Sequence, residues 1–158
     1  MIADVPRISV QDWIAEHIRG MIYLRQGNLD TAVRVFERGV ADCPFGRGRA
    51  CFRTALAAAE LQLKNYAAAE AAVATVEGED TMLDAVESIR AHIFGLQEKF
   101  VRAADSYQRL SQPTTVLASE LFEELKRRFV DRQPAVHSDD WLLDRQIRFQ
   151  VQCFSMAV

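Results

Sequence analysis

The chain has 158 residues, 49% of them hydrophobic and 26% charged, the balance of a single globular domain able to bury roughly two-thirds of its unfolded surface. A net charge of -3 and a pI near 5.6 speak against a partner held by its phosphate backbone, so nucleic acid is not expected. No run of roughly 18 apolar residues and no basic-then-apolar leader occurs, so neither a membrane span nor an export signal is expected, and Cys43, Cys51 and Cys153, without C-x-x-C spacing, suit a reducing cytoplasm.

In chain order, Ser9 to Asp12 has the S-x-x-D form of a capping box, in which Ser9 takes up an orphan amide and Asp12 sits at the positive helix end. Val10, Trp13, Ile14, Ile18, Met21 and Ile22 then recur at helical spacing until Gly27 and Asn28 break the run. A second helix over about 29–42 carries Ala32, Val33, Phe36 and Val40 on its apolar side, and Pro44 stops it. Residues 44–48 read as a turn, with the next helix from about Arg49 to Leu63. Lys64 and Asn65 stand where Gly27 and Asn28 stood, 37 residues on, and Glu98 and Lys99 follow 34 residues later. Ala69 and Ala103 match Ala32, and Val73 and Tyr107 match Phe36. Asp80 is the expected cap of the helix from about Thr81 to Gln97. The Ala-rich middle unit suits tight helix contacts, since Ala has the best helix propensity and little bulk.

Beyond Pro113, Thr114 and Thr115 announce a helix with Val116, Leu117, Leu121, Phe122, Leu125 and Phe129 on one face, and Lys126, Arg127 and Arg128 late, as the helix dipole favours. Ser138, Asp139 and Asp140 announce another. From Ile147 two patterns compete: Leu143, Ile147, Val151 and Phe154 form a helical stripe, whereas Ile147, Phe149, Val151 and Cys153 alternate as a strand would. Helix is favoured, because no other segment offers a strand partner. The closing run 141–158 is rich in apolar residues. Three roles are open to it: a closing helix, a segment folded back into a groove, or a contact with a second copy, the first being preferred.

Gly20, Tyr23, Ala32, Phe36 and Pro44 reproduce the G-x2-Y, A-x3-F and closing P of the tetratricopeptide repeat, which the chain resembles. Glu16 and Arg19 depart from the Trp and Leu the family prefers, so Trp13, Ile14 and Ile18 are expected to anchor the first helix instead. The resemblance implies an all-α fold, a right-handed α-α superhelix in one domain. Its repeats would span about 10–44, 48–78 and 81–112, with capping helices at about 114–132 and 139–154.

It also implies a concave groove lined by the first helix of each pair. Carried over by position, the groove residues are Ile14, His17, Met21 and Leu24; Cys51, Thr54, Ala58 and Leu61; and Ala85, Ser88 and His92, with Gly95 beyond. One subset of the family grips a C-terminal carboxylate with Lys, Asn and Arg. Here His17, Met21, Thr54, Ser88 and His92 stand at such places, so the expected ligand is an extended peptide or an amphipathic helix with apolar anchors. Small relatives of this kind act as chaperones or assembly factors, and the resemblance includes that role.

No nucleophile elbow, phosphate-cradling loop or zinc-ligand spacing appears, so no catalytic residue, cofactor or metal is expected. Arg34, Arg38, Arg47, Arg49 and Arg53 read as a solvated face before they read as a patch for an acidic segment. The rival to an interaction module is a structural subunit that self-associates, or joins a complex, through its C-terminal helices.

Overall fold

The computed structural model describes residues 9–76, 80–110 and 115–157, and among these every regular element is an α-helix. The elements are α1 (Val10–Arg25), α2 (Leu29–Asp42), α3 (Gly46–Gln62), α4 (Tyr66–Ala74), α5 (Asp80–Leu96), α6 (Phe100–Gln108), α7 (Val116–Phe129) and α8 (Asp139–Ala157). The break expected at Gly78 and Glu79, and Pro113 and Thr114, lie outside the described residues. Asp80 is the first helical residue of α5 rather than the residue before it.

Local chemistry starts α1, α7 and α8 where the sequence says it should. Ser9 accepts from the Asp12 amide at 3.2 Å and its own amide donates to the Asp12 carboxylate at 2.9 Å, a complete capping box. Thr115 accepts from the Ala118 amide at 3.1 Å, and Ser138 from the Trp141 amide at 3.1 Å. The helix pairs are closed by one turn used three times. Gly27, Lys64 and Glu98 all take positive φ, at 77°, 62° and 60°. Each amide there bonds back to Leu24, Leu61 or Gly95, and the following amide bonds to Tyr23, Glu60 or Phe94. These paired bonds are the Schellman closure, which gives the last helical carbonyls partners and reverses the chain in two residues. The next residue has nearly the same backbone angles at Asn28, Asn65 and Lys99.

The repeat register holds in the core as well. Ala32, Ala69 and Ala103 are each 0% exposed, and Phe36 and Val73 are buried beside them. At Gly20 an added Cβ would stand 2.3 Å from the Phe36 ring, and at Gly39 2.2 Å from the Phe52 ring, so α1 approaches α2, and α2 approaches α3, across a bare backbone.

Two expectations are corrected. Residues 46–48 are helical, because the Arg49 amide bonds to the Phe45 carbonyl at 2.9 Å and the Arg49 guanidinium to the Cys43 carbonyl at 2.9 Å, closing the turn three residues early. Gly there costs little, since first-turn amides have no helical partner in any case. Ile18 does not anchor α1: it is 37% exposed and Ile22 is 51% exposed, for α1 packs only on α2, α3 and α8 among the described elements. The alternating run from Ile147 is helix, the reading favoured over a strand. Its period of two arises because α8 is buried on two sides, with Phe149 on Phe122 of α7 at 5.5 Å and Phe154 on Phe52 of α3 at 5.5 Å.

The first helices form a row, α1 on α3, α3 on α5 and α5 on α7. The second helices α2, α4 and α6 each touch the next first helix and not one another. α8 lies across the row, packed on α1, α3, α5 and α7 together. It therefore covers the row, where a closing helix was expected to stack beyond it.

Candidate functional site

The face that α8 covers is built from the helices expected to line a groove. On α1, His17 is 0% exposed and sits among rings: Phe154 of α8 at 4.6 Å, Phe52 at 5.5 Å and Phe36 at 6.1 Å. Burial brings His17 down to about 3, so the ring is neutral. Trp13 meets Phe52 edge-on at 5.9 Å, which makes Phe52 the hub of this cluster.

The cysteines lie in the same region. Burial, with the neighbouring Cys153 and Cys43 thiols adding to it, pushes the Cys51 thiol up, and burial with the charge of Asp84 pushes Cys153 up to about 12. All three thiols are buried and free of disulfides, hence protonated and inert while α8 is in place.

Midway along the row, the Ser88 hydroxyl donates to the Ala85 carbonyl at 2.8 Å and accepts from the Gln146 amide of α8 at 3.3 Å. Thr54 spends its hydroxyl on its own helix, donating to the Ala50 carbonyl at 2.9 Å. At the start of α8 a cavity of about 180 Å³ remains open between Leu61, Tyr66, His92, Leu96 and Leu142. His92, partly exposed at its edge, lies against Phe129 at 5.5 Å, and burial with the nearby Arg128 charge brings it down to about 4.

On its outer side α8 is held by ion pairs. Arg25 of α1 reaches Asp144 at 3.1 Å, and Arg145 reaches Glu120 of α7 at 3.0 Å. The connection from α7 is clamped by Glu124, 2% exposed, which accepts from Arg128 at 3.0 Å and from the backbone amides of Val136 and His137. Arg128 in turn pairs with Asp139 at 2.6 Å and donates to the His137 carbonyl. Beside this clamp, Glu120, Glu123, Arg127, His137, Trp141 and Arg145 border a polar cavity of about 240 Å³, with His137 stacked on Trp141 at 3.7 Å. Charges of both signs neutralise one another there.

Family models, characterised proteins and solved structures offer no match to the chain. Its site therefore rests on its own geometry.

Of the residues expected in the groove, the structure brings His17 to Phe154, Ser88 to Gln146, and Leu61 and His92 to Leu142. Met21, Leu24, Cys51, Ala58 and Ala85 are buried in the same core, Thr54 is buried and self-bonded, and Ile14 is half-buried. The arginines read as a possible basic patch bond locally: Arg34 to the Asp30 carbonyl, Arg38 to Asp42 and Arg49 to the Cys43 carbonyl. Sequence reasoning missed Phe52, Gln146 and Gln150. Phe52 sits one place from the carried-over Cys51, and its signal was that neighbourhood. The two glutamines, spaced four apart between Leu142 and Phe154, were legible only as a polar interruption of an apolar stripe.

Proposed function

We propose that the chain is an interaction module of tetratricopeptide type, a right-handed superhelix whose row of first helices binds an amphipathic helix of another protein. The observation that carries this reading is α8: a nineteen-residue helix of the chain itself lies across α1, α3, α5 and α7, with Leu142, Gln146 and Phe154 turned onto them. A face that holds one helix has the width and apolar lining to hold another. The threefold turn at Gly27, Lys64 and Glu98 supports the repeat assignment. Self-association through the C-terminal helices has less support, because Leu142, Phe149 and Phe154, the residues it would use, are buried within the chain. A role as a chaperone or assembly factor fits a module that shields an amphipathic helix until it is handed on.

The test uses a fluorescent peptide of residues 139–157 carrying Cys153→Ser, titrated with the intact chain and with the Phe154→Ala chain. Saturable binding, tighter to the Phe154→Ala chain, is expected. A peptide that binds neither chain removes the reading.

A further inference from the structure

The last turns of α8 are seated with hydrogen bonds left unmade. Neither nitrogen of His17 has a partner among the described residues, although the ring is 0% exposed beneath Phe154. A neutral imidazole carries one N–H donor and one acceptor nitrogen, so both needs go unmet. On α8 itself, Gln150 is 3% exposed and both its amide oxygen and its amide nitrogen are unpaired. One turn earlier Gln146 meets Ser88, so of the two buried glutamines of α8 it is Gln150 that goes unpaired, and the Trp13 indole N–H in the cluster around Phe52 is unpaired as well. Buried polar groups in a settled core are nearly always paired. An apolar residue in either place would hold α8 more tightly, since each orphaned group shifts the docking equilibrium by about tenfold or more.

We propose that α8 from Gln150 onward holds the place of a helix from another protein, and that this partner displaces it and pairs with His17 through a side-chain amide or hydroxyl. The proposal rests on the reading of the row as a helix-binding face. The chemistry of the partner follows from what surrounds the site. Phe52, Phe36 and Trp13 call for an aromatic or large aliphatic residue where Phe154 now stands. The group that meets His17 is uncharged, because a charge buried among rings would cost more than its hydrogen bond returns. Displacement leaves the start of α8 tethered, since Arg145 with Glu120, Arg25 with Asp144, and the Glu124 and Arg128 clamp all act before Gln150.

Segment-resolved hydrogen exchange of the intact chain and of two variants, His17→Leu and Gln150→Leu, tests the idea. Residues 150–155 of the parent chain should exchange at least tenfold faster than α3 and α5, and either variant should slow them about tenfold while leaving α5 unchanged. Simple fraying predicts no slowing, and a structural role for these side chains predicts acceleration. Either result overturns the proposal, and if one variant fails to fold the other decides. The peptide titration separates the two readings. Binding of the peptide without slowing by the variants sinks displacement alone; a peptide that never binds sinks the helix-binding face and the proposal with it.

Discussion

The imidazole of His17 on α1 and the ring of Phe154 on α8 lie 4.6 Å apart, their planes tilted by 37°. This contact ties the first helix of the chain to the last across the row. Phe154 is 1% exposed and also meets Phe52, so Phe154→Ala should cost about 3–5 kcal/mol of stability in urea denaturation. Because the lost contacts hold α8, alkylation of Cys51 and Cys153 by iodoacetamide should rise sharply while helical circular dichroism is kept. Labelling as slow as in the parent chain would mean that α8 is held without this ring.

The three equivalent turns make a second prediction. Gly27 adopts φ 77° with nothing near its missing Cβ, whereas Lys64 holds φ 62° against its preference. A left-handed non-glycine residue costs roughly 1–2 kcal/mol, and the added freedom of glycine in the unfolded chain returns part of that. Lys64→Gly should therefore stabilise by about 0.5–1 kcal/mol, read from the urea midpoint. A loss of stability would show that the Lys64 side chain has a role beyond the turn.

Gly20 gives the opposite sign. Alanine is a better helix former by about 1 kcal/mol, but its Cβ would lie 2.3 Å from a Phe36 ring that is itself 0% exposed and unable to retreat. Overpacking of this kind costs about 1–3 kcal/mol, so Gly20→Ala should destabilise on balance. An unchanged or raised thermal midpoint would mean that α1 and α2 can separate without loss.

The all-helical fold and the pairing of its helices were legible because periodicity and turn chemistry are local. Ser9 and Asp12 cap as their types require, and Lys64 and Glu98 take the backbone shape of Gly27 because the Schellman bonds and the packing of Ala69 and Ala103 impose it on residues that do not favour it. Of the residues the repeat register singles out, His17, Ser88, Leu61 and His92 stand next to residues of α8. What covers the row was not legible. A helix buried on two sides, with Phe149 against α7 and Phe154 against α3, carries apolar residues at spacings that imitate a strand. Nor does any local pattern reveal that Glu124 will be buried, for its partners Val136 and His137 lie beyond a break in the chain.

That carboxylate carries a fourth prediction. Burial alone would raise Glu124, but Arg128 and the amides of Val136 and His137 more than offset it and hold the group below the ordinary carboxylate range. Glu124→Gln keeps the shape and loses the charge, leaving Arg128, only 11% exposed, with Asp139 as its carboxylate partner. A cost of about 1–3 kcal/mol is expected in urea denaturation, with faster hydrogen exchange over 131–138. If only the exchange changes, the clamp orders the connection without adding to global stability.

The buried histidines set the response to acid. Both are depressed in the fold, His17 to about 3 by burial and His92 to about 4 by burial and Arg128, against 6.5 for the free side chain. Below pH 6.5 the unfolded chain binds protons that the folded chain refuses, so the stability present above that value is lost as the pH falls. For His17 alone the loss between pH 7.5 and pH 5 is about 2 kcal/mol; the partly exposed His92 adds a smaller amount. The carboxylate of Glu124 acts in the same direction at lower pH, through its own folded value. Urea midpoints at pH 7.5 and pH 5 should therefore differ strongly in the parent chain and much less in His17→Leu, which has no proton to refuse. If the two chains lose the same stability over that interval, His17 is not the neutral, enclosed ring described here, and the acid response belongs to His92 or to the carboxylates.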